Sequence, residues 1–268
     1  MQSQTLDLLA CPICQSELEL RGGNEVVVTG SLNCPGCQRV FPVQEGIPHF
    51  IRMEELTGLN RRFAYLYDWF SYVYGLYSRL AFAFLGGEDR NRREVLGRLE
   101  PRTGRLLEVS IGPGANLPYL IGAPGVGEVY GLDISMGQLR HCRRLCRRRG
   151  WDVDLFLGNA EQLPFRDEVF DSVFHIGGIN FFNDKKKAIE EMIRVARPGT
   201  KIIIIDENEK GARSFERTLP GFKQTFKAGR EAITAPVELV PATMEDLHLE
   251  DVWRGWFYCL EFKKPGRL

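Results

Sequence analysis

The sequence predicts a doubly wound α/β domain preceded by a small four-cysteine module. Three observations lead there. Between residues 104 and 206 short β-branched runs alternate with segments of helical period, the pattern of a parallel sheet covered by helices on both faces. The first of these runs, Leu106-Leu107-Glu108-Val109, passes through an acidic residue into the turn Ser110-Ile111-Gly112-Pro113-Gly114-Ala115-Asn116. Two Cys-x-x-C pairs stand near the start of the chain.

Residues 1–52 are expected to form the small module. Cys11-Pro12-Ile13-Cys14 and Cys34-Pro35-Gly36-Cys37 are separated by 19 residues, the spacing of a zinc ribbon. Each pair aims two thiolates at one point, and together they supply the tetrahedral four-sulfur set of a structural zinc ion. A redox role would call for one such pair beside a βαβ unit, and disulfides would be unusual in a cytosolic chain. With four cysteines no ligand position is left open, so the metal is expected to be structural. A module this small buries little core, so metal binding, worth about 10–16 kcal/mol in zinc-finger peptides, would largely hold it together.

Residues 53–268 would be the second domain, with 53–100 a helical segment over its sheet. Within it Phe63 to Leu80 is crowded with aromatics, while Asp68, Ser71, Gly75, Ser78 and Arg79 recur at about helical period. Packing on the sheet and lining a pocket are equally compatible with that pattern; a membrane-surface helix is disfavoured over Phe63 to Leu80, whose polar face lacks the Lys/Arg enrichment such helices carry. The first strand and its turn follow. Leu117 to Ile121 reads as a helix, and Glu128-Val129-Tyr130-Gly131-Leu132-Asp133 as a second strand ending in an acid that could accept from two ribose hydroxyls. A basic helix comes next, with Leu139, Cys142 and Cys146 on one face and the arginines from Arg140 to Arg149 on the other. Asp154 to Leu157 is the third strand and Phe170 to His175 the fourth. Lys186 to Ala196 is a helix, and Lys201 to Asp206, with four consecutive isoleucines, reads as a buried central strand. Pro236 to Pro241 and Val252 to Phe262 read as strands without intervening helices.

The glycine turn does not fit a dinucleotide site in either register, because G-x-G-x-x-G/A is not matched from Ser110 or from Gly112. It resembles motif I of class I S-adenosylmethionine-dependent methyltransferases, with Ser110 in place of the usual first glycine. The loop Gly158-Asn159-Ala160-Glu161-Gln162-Leu163-Pro164-Phe165 is similar to the family's adenine-side loop, with Asn159 replacing an aspartate, and Arg197-Pro198-Gly199-Thr200 to its turn into the fifth strand. The resemblance implies a Rossmann-like seven-stranded sheet whose last two strands are antiparallel. It also implies a cofactor site of Glu108, Ser110, Gly112, Gly114, Asn116, Asp133, Ile134, Asn159, Ala160, Glu161 and His175, with Glu108 toward the methionine end. His175, followed by Gly177 and Gly178, is the candidate general base or substrate hydrogen-bond donor; Asp206 and Glu207 are weaker candidates for orienting a substrate.

The helical segment resembles that of ubiquinone, menaquinone and small-molecule methyltransferases, where it covers the cofactor and lines the acceptor pocket. The first 50 residues resemble small zinc-ribbon proteins that partner and activate RNA and protein methyltransferases, and also ribosomal RNA methyltransferases with an N-terminal ribbon. Here the ribbon is acidic: Asp7, Glu17, Glu19, Glu25 and Glu45 face only Arg21 and Arg39, a weak grip on phosphates.

Charge excludes a global attraction to nucleic acid, since 35 basic residues balance 35 acidic ones. Met1 to Ala10 lacks the basic start and apolar run of a leader, and the apolar stretch Phe63 to Leu85 is broken by Asp68 and Arg79, so a cytoplasmic protein without a membrane span is expected. Three functions remain: methyl transfer to a small-molecule or lipid/quinone-like acceptor, RNA methylation using the ribbon and the arginine helix, and cofactor binding by a non-catalytic regulatory partner. No Asn/Asp-Pro-Pro-Tyr/Phe tetrapeptide follows the fourth strand, which counts against base-amino methylation of RNA.

Overall fold

The computed structural model describes residues 1–22, 25–70, 82, 85–100, 104–218 and 233–267. Most of the aromatic stretch after Phe70 lies outside the described residues. Strands β1 (Glu19–Arg21), β2 (Gly30–Asn33), β3 (Val40–Gln44) and β4 (Ile47–Pro48) form a four-stranded antiparallel sheet in sequence order. The second sheet has seven strands: β5 (Gly104–Val109), β6 (Val126–Asp133), β7 (Val153–Leu157), β8 (Ser172–Ile176), β9 (Lys201–Glu207), β10 (Glu245–Val252) and β11 (Phe257–Lys263). Their order is β10-β11-β9-β8-β5-β6-β7. The first five are parallel; β11 runs antiparallel to β9, and β10 to β11. Strand order reverses between β5 and β8, so the ligand crevice of such a sheet opens at the carboxyl end of β5, where the glycine turn lies.

The described α-helices are α1 (Gly58–Phe70), α2 (Glu88–Leu96), α3 (Leu117–Leu120), α4 (Met136–Arg149), α5 (Lys185–Val195) and α6 (Glu209–Thr218). Strand alternation divides the core. Leu107, Val109, Tyr130, Leu132, Val173, Ile202 and Ile204 meet Ala188, Ile189, Met192 and Val195 of α5 on one face. Leu106, Val129, Leu155, Phe174, Ile203 and Ile205 meet α2, α3 and the Leu139, Cys142, Cys146 stripe of α4 on the other. Cys142 and Cys146 are thus small core residues, as their spacing predicts.

The carboxyl-terminal strands differ from the sequence reading. Pro236 to Pro241 holds only the single turn Val237–Leu239, and the strand that pairs with β11 is Glu245–Val252. Prolines at both ends of 236–241 remove ladder donors. The true strand is an edge exposed over most of its length, so it shows acidic residues where the pattern seeks a buried face. Phe170 precedes β8 and makes only an isolated bridge to Ala196.

The ribbon is fastened to the other edge of the large sheet. His49 bridges Leu157 in parallel, and the Phe50 amide donates to the Leu157 carbonyl at 2.8 Å. Leu9 bridges Phe165, with Ala10 N–H on Pro164 O at 3.1 Å and Arg166 N–H on Leu8 O at 2.8 Å. Phe41 and Phe50 lie 5.1 Å apart and Phe50 lies 6.5 Å from Phe156, so ribbon and domain share one core. Asp154 of β7, 8% exposed, accepts from the Gln2 amide at 3.1 Å and from the Thr5 hydroxyl. The ribbon's acids have partners here as well: Glu45 pairs with Arg140 and Arg143 of α4, and Glu17 with Arg166 at 3.0 Å. Among the described residues, no helix is long and apolar enough to cross a membrane.

Asp154→Ala leaves the Thr5 hydroxyl and the Gln2 amide buried without their acceptor, at a cost of about 1–3 kcal/mol. Chemical denaturation should register that loss, and limited proteolysis should cleave the ribbon faster; unchanged values in both would remove Asp154 as its anchor.

Candidate cofactor site and metal centre

The four ribbon cysteines converge. Their sulfurs all lie within 4.8 Å of one another, with Cys11 Sγ 3.6 Å from Cys37 Sγ and Cys14 Sγ 3.4 Å from Cys34 Sγ. Gly36 lets the second knuckle close, since a Cβ there would meet Ser16 Oγ at 2.3 Å. Four thiol sulfurs at this separation suit a structural zinc ion and leave no ligand position for chemistry.

The other site gathers where the crevice opens. Ser110 adopts the left-handed conformation, φ 64°, that the usual glycine would take without strain. Gly112 (φ 56°) has no atom within 4 Å of where a Cβ would stand, so the turn faces open space. Gly114 is needed for packing, because a Cβ would meet Cys142 Sγ at 2.8 Å. Above this turn Glu108 is 1% exposed. Asn116 Nδ2 donates to Glu108 Oε1 at 2.6 Å, and Arg92 Nη1 donates to Asn116 Oδ1 at 2.5 Å. Glu108 Oε2 is buried with no hydrogen-bond partner. Loss of water pushes the Glu108 carboxyl up to about 8, against the pull of Asn116 and Arg92.

Asp133 ends β6 and is 7% exposed. Its Oδ2 accepts from Gly112 N at 2.8 Å and its Oδ1 from Ser135 N at 2.9 Å, which leaves acceptor capacity on both oxygens. Desolvation raises it to about 6 despite these bonds. Ile134 follows it in the chain. On the far side of the crevice Asn159 Oδ1 accepts from Glu161 N at 3.0 Å, closing the loop that carries Ala160.

Three predicted site residues are committed to structure. Glu161 Oε1 accepts from Asn60 Nδ2 of α1 at 2.9 Å and from Asp184 N at 3.1 Å. His175 is fully buried; its Nδ1 donates to Val109 O at 2.9 Å while its Nε2 accepts from Ile179 N at 3.0 Å. Burial lowers its affinity for a proton, and the general-base role finds no free ring nitrogen here. Asp206, also fully buried, accepts from Gly178 N, Asn180 N and Glu207 N and so braces the same turn. Gly177 within that turn borders open space.

Two participants were not singled out by their sequence. Arg92 lies on the same α2 face as Val95 and Leu96, and a cation at an apolar position was the available signal. Asp68 of α1 accepts from Gly137 N at 2.7 Å and from the Ser135 hydroxyl at the start of α4, beside Asp133. No local pattern marks that contact. Together with Asn60 on Glu161 and the Phe63–Phe181 stack at 3.9 Å, it lays α1 across the carboxyl edge of the sheet.

A seven-stranded sheet of this order, with acids ending its first two strands and a glycine turn between them, defines a class I methyltransferase fold joined to a four-cysteine ribbon. Comparison with known proteins agrees. Residues 107–204 match the family model described as a methyltransferase domain, and residues 2–46 the Trm112p-like protein model. The chain is 36% identical over 124 residues to a demethylmenaquinone methyltransferase of Renibacterium salmoninarum, covering 46% of this chain and 49% of that protein. It is 34% identical over 158 residues to one of Thermus thermophilus, covering 55% and 70%. The chain spans about half the length of the first curated relatives it matches. A solved complex of the Haloferax volcanii Trm112 methyltransferase activator with a putative methyltransferase shares the fold, at a TM-score of 0.55 and 18% identity over 72% of this chain and 97% of that one. The chain belongs to the S-adenosylmethionine-dependent methyltransferases and carries a Trm112-like zinc ribbon at residues 2–46.

Ser110→Gly should raise stability by about 0.5–1 kcal/mol, the relief of left-handed strain exceeding the entropy cost of glycine; a lower melting temperature would show that the serine side chain holds the turn. Because Glu108 is raised from 4.5 to about 8, the native cofactor-free protein binds more protons than the unfolded chain within that window. Its stability therefore falls as pH rises from about 4.5 to about 8. Glu108→Gln should flatten that fall in denaturation measured across the window.

Proposed function

We propose that this chain transfers a methyl group from S-adenosylmethionine to a small-molecule or lipid/quinone-like acceptor. The observation that carries the reading is the buried Glu108, whose Oε2 has no partner, beside the open turn at Gly112 and the half-used carboxylate of Asp133. When bound, the cofactor supplies an electrophilic sulfonium methyl. Glu108 Oε2 suits an ammonium donor, so Glu108, with Asn116 and Arg92 behind it, would hold the methionine end. Asp133 would accept from the ribose hydroxyls, and Ile134, Asn159 and Ala160 would flank the adenine. Ser110, Gly112 and Gly114 shape the turn that lets backbone approach the ligand.

Catalysis then asks little proton chemistry of the protein. Holding donor and acceptor in line supplies up to about 7–11 kcal/mol of the barrier. His175 and Asp206 would act as positioning residues that fix the β8 turn, where Gly177 leaves room for the acceptor. Phe63 and Phe181 would wall that space with aromatic surface beneath α1. The demethylmenaquinone methyltransferases among the relatives favour a quinone-like acceptor.

The Trm112-like ribbon and the exposed arginines 147–149 favour a second reading, RNA methylation. Against it, Glu45 already occupies Arg140 and Arg143. Binding to RNA at low salt separates the two, since an arginine grip on phosphates must weaken steeply as salt rises.

Calorimetric titration with S-adenosylmethionine tests the leading reading. Saturable binding is expected, with Asp133→Ala weakening it at least tenfold, the cost of a lost charge-assisted hydrogen-bonding group. No binding by the native chain would remove both methyl-transfer readings. Binding without turnover on any quinone-like acceptor or on RNA would leave the cofactor-binding regulatory partner.

A further inference from the structure

Helix α1 presents two unlike faces. Its inner face is bolted to the loops that follow β6, β7 and β8, through Asp68, Asn60 and Phe63. Its outer face carries Leu59, Arg61, Arg62 and Tyr65. Leu59 is 41% exposed and Tyr65 53%, so this face puts apolar and aromatic surface beside the ligand site. Leu59, Arg62 and Tyr65 fall at i, i+3 and i+6 and form one stripe. Arg61 and Arg62 are exposed, and among the described residues neither guanidinium has an ion-pair partner.

A second basic group adjoins this stripe. The amides of Leu59 and Asn60 both donate to Asn183 Oδ1, and Glu161 Oε1 ties Asn60 to Asp184, so the start of α5 lies against the first turn of α1. That turn of α5 reads Lys185-Lys186-Lys187. Cations at a helix N-terminus oppose the helix dipole, so helix stability does not account for three of them there. The adjoining acids offset them only in part: Asp184 caps the Lys187 amide and Glu190 pairs with Lys186 at 4.0 Å. The chain as a whole is neutral, which makes this a local concentration of charge.

We propose that the outer face of α1 and the first turn of α5 seat the protein on an anionic lipid surface, with the mouth of the cofactor crevice toward it. Aliphatic, cationic and aromatic side chains along one helix face are the composition of a helix that lies in the interface plane. An RNA backbone would use the cations but has no use for Leu59. The placement also gives an apolar acceptor a short route beneath α1; that consequence rests on the lipid/quinone-like acceptor proposed above, whereas adsorption does not.

The test is co-sedimentation of the full chain with phosphatidylcholine vesicles, with and without phosphatidylglycerol, in the absence of cofactor and acceptor. Binding is expected only to the anionic vesicles, weakening with salt. Arg61→Gln with Arg62→Gln should lower the partition coefficient roughly tenfold or more, the effect of two juxtamembrane cations. Leu59→Ser with Tyr65→Ser should lower it too. Arg147→Gln with Arg148→Gln, at the opposite end of the sheet, should leave it unchanged. All three variants should keep native affinity for S-adenosylmethionine, which confirms their fold. Absence of binding to anionic vesicles, dependence on Arg147 and Arg148 instead, or binding to an RNA oligonucleotide alone would each overturn the assignment. A chain that binds cofactor but not vesicles loses only the membrane surface. One that binds vesicles but not cofactor loses only the methyl-transfer reading.

Discussion

The edge of β7 is the constraint on which both halves of the molecule depend. An open strand edge exposes unpaired amides and carbonyls and invites pairing with other chains. Here the ribbon covers it, with Phe50 donating to Leu157 and Asp154 receiving Gln2 and Thr5. The ribbon in turn has too small a core to stand without its four-sulfur centre. Leu157 leads directly into Gly158 and Asn159, so the metal, the ribbon, the sheet edge and the far wall of the crevice form one mechanical series. Loosening any early member should be felt at the loop that carries Ala160.

Inside the crevice the electrostatics run the opposite way, toward deliberate instability. Glu108 and Asp133 are both held above their ordinary ionisation range by loss of water, and Glu108 keeps one oxygen without a partner. A buried carboxyl left in this condition costs the empty protein stability. A cationic ligand group at Oε2 would lower that cost and draw off the proton, so ligand binding and folding draw on the same group. Asn116 and, behind it, Arg92 temper this: Arg92, ion-paired to Glu88 at 2.8 Å, reaches Glu108 only through Asn116.

Much of this was legible in the sequence because it is written locally. The isoleucine run of β9, the Leu139, Cys142, Cys146 stripe and the two cysteine knuckles each follow from spacing within a dozen residues. So does the glycine turn, including the departure at Ser110, whose positive φ the replacement of a glycine anticipates. What could not be read was pairing at a distance. Glu161 and His175 sit where the family pattern places ligand-facing groups, yet Asn60 claims one and the backbone of Val109 and Ile179 claims the other. The edge strand Glu245–Val252 was missed because exposure on most positions erases the alternation by which strands are recognised. In the sequence the acidic ribbon and the basic helix are two separate biases. Only the structure brings Glu45 to Arg140 and Arg143 and shows that the two charge biases answer one another.

That pairing bears on how an apolar acceptor and a polar cofactor reach the same crevice. If the arginines of α4 were the main contact with a polyanion, the ribbon's docking would compete for two of them. Glu45 takes Arg140 and Arg143, and among the exposed cations that remain two clusters matter for a partner. Arg147, Arg148 and Arg149 lie at the carboxyl end of α4, behind the sheet and remote from the turn at Gly112, since α4 starts at the crevice and runs away from it. Arg61, Arg62 and the lysines of α5 lie on the crevice side, next to Leu59 and Tyr65. A partner that must deliver its reacting atom to the crevice gains only from the second group. Leu59 and Tyr65 are interleaved with that group, so the lipid-like acceptor proposed above would be coupled to α1 rather than to the helix that holds most of the arginines.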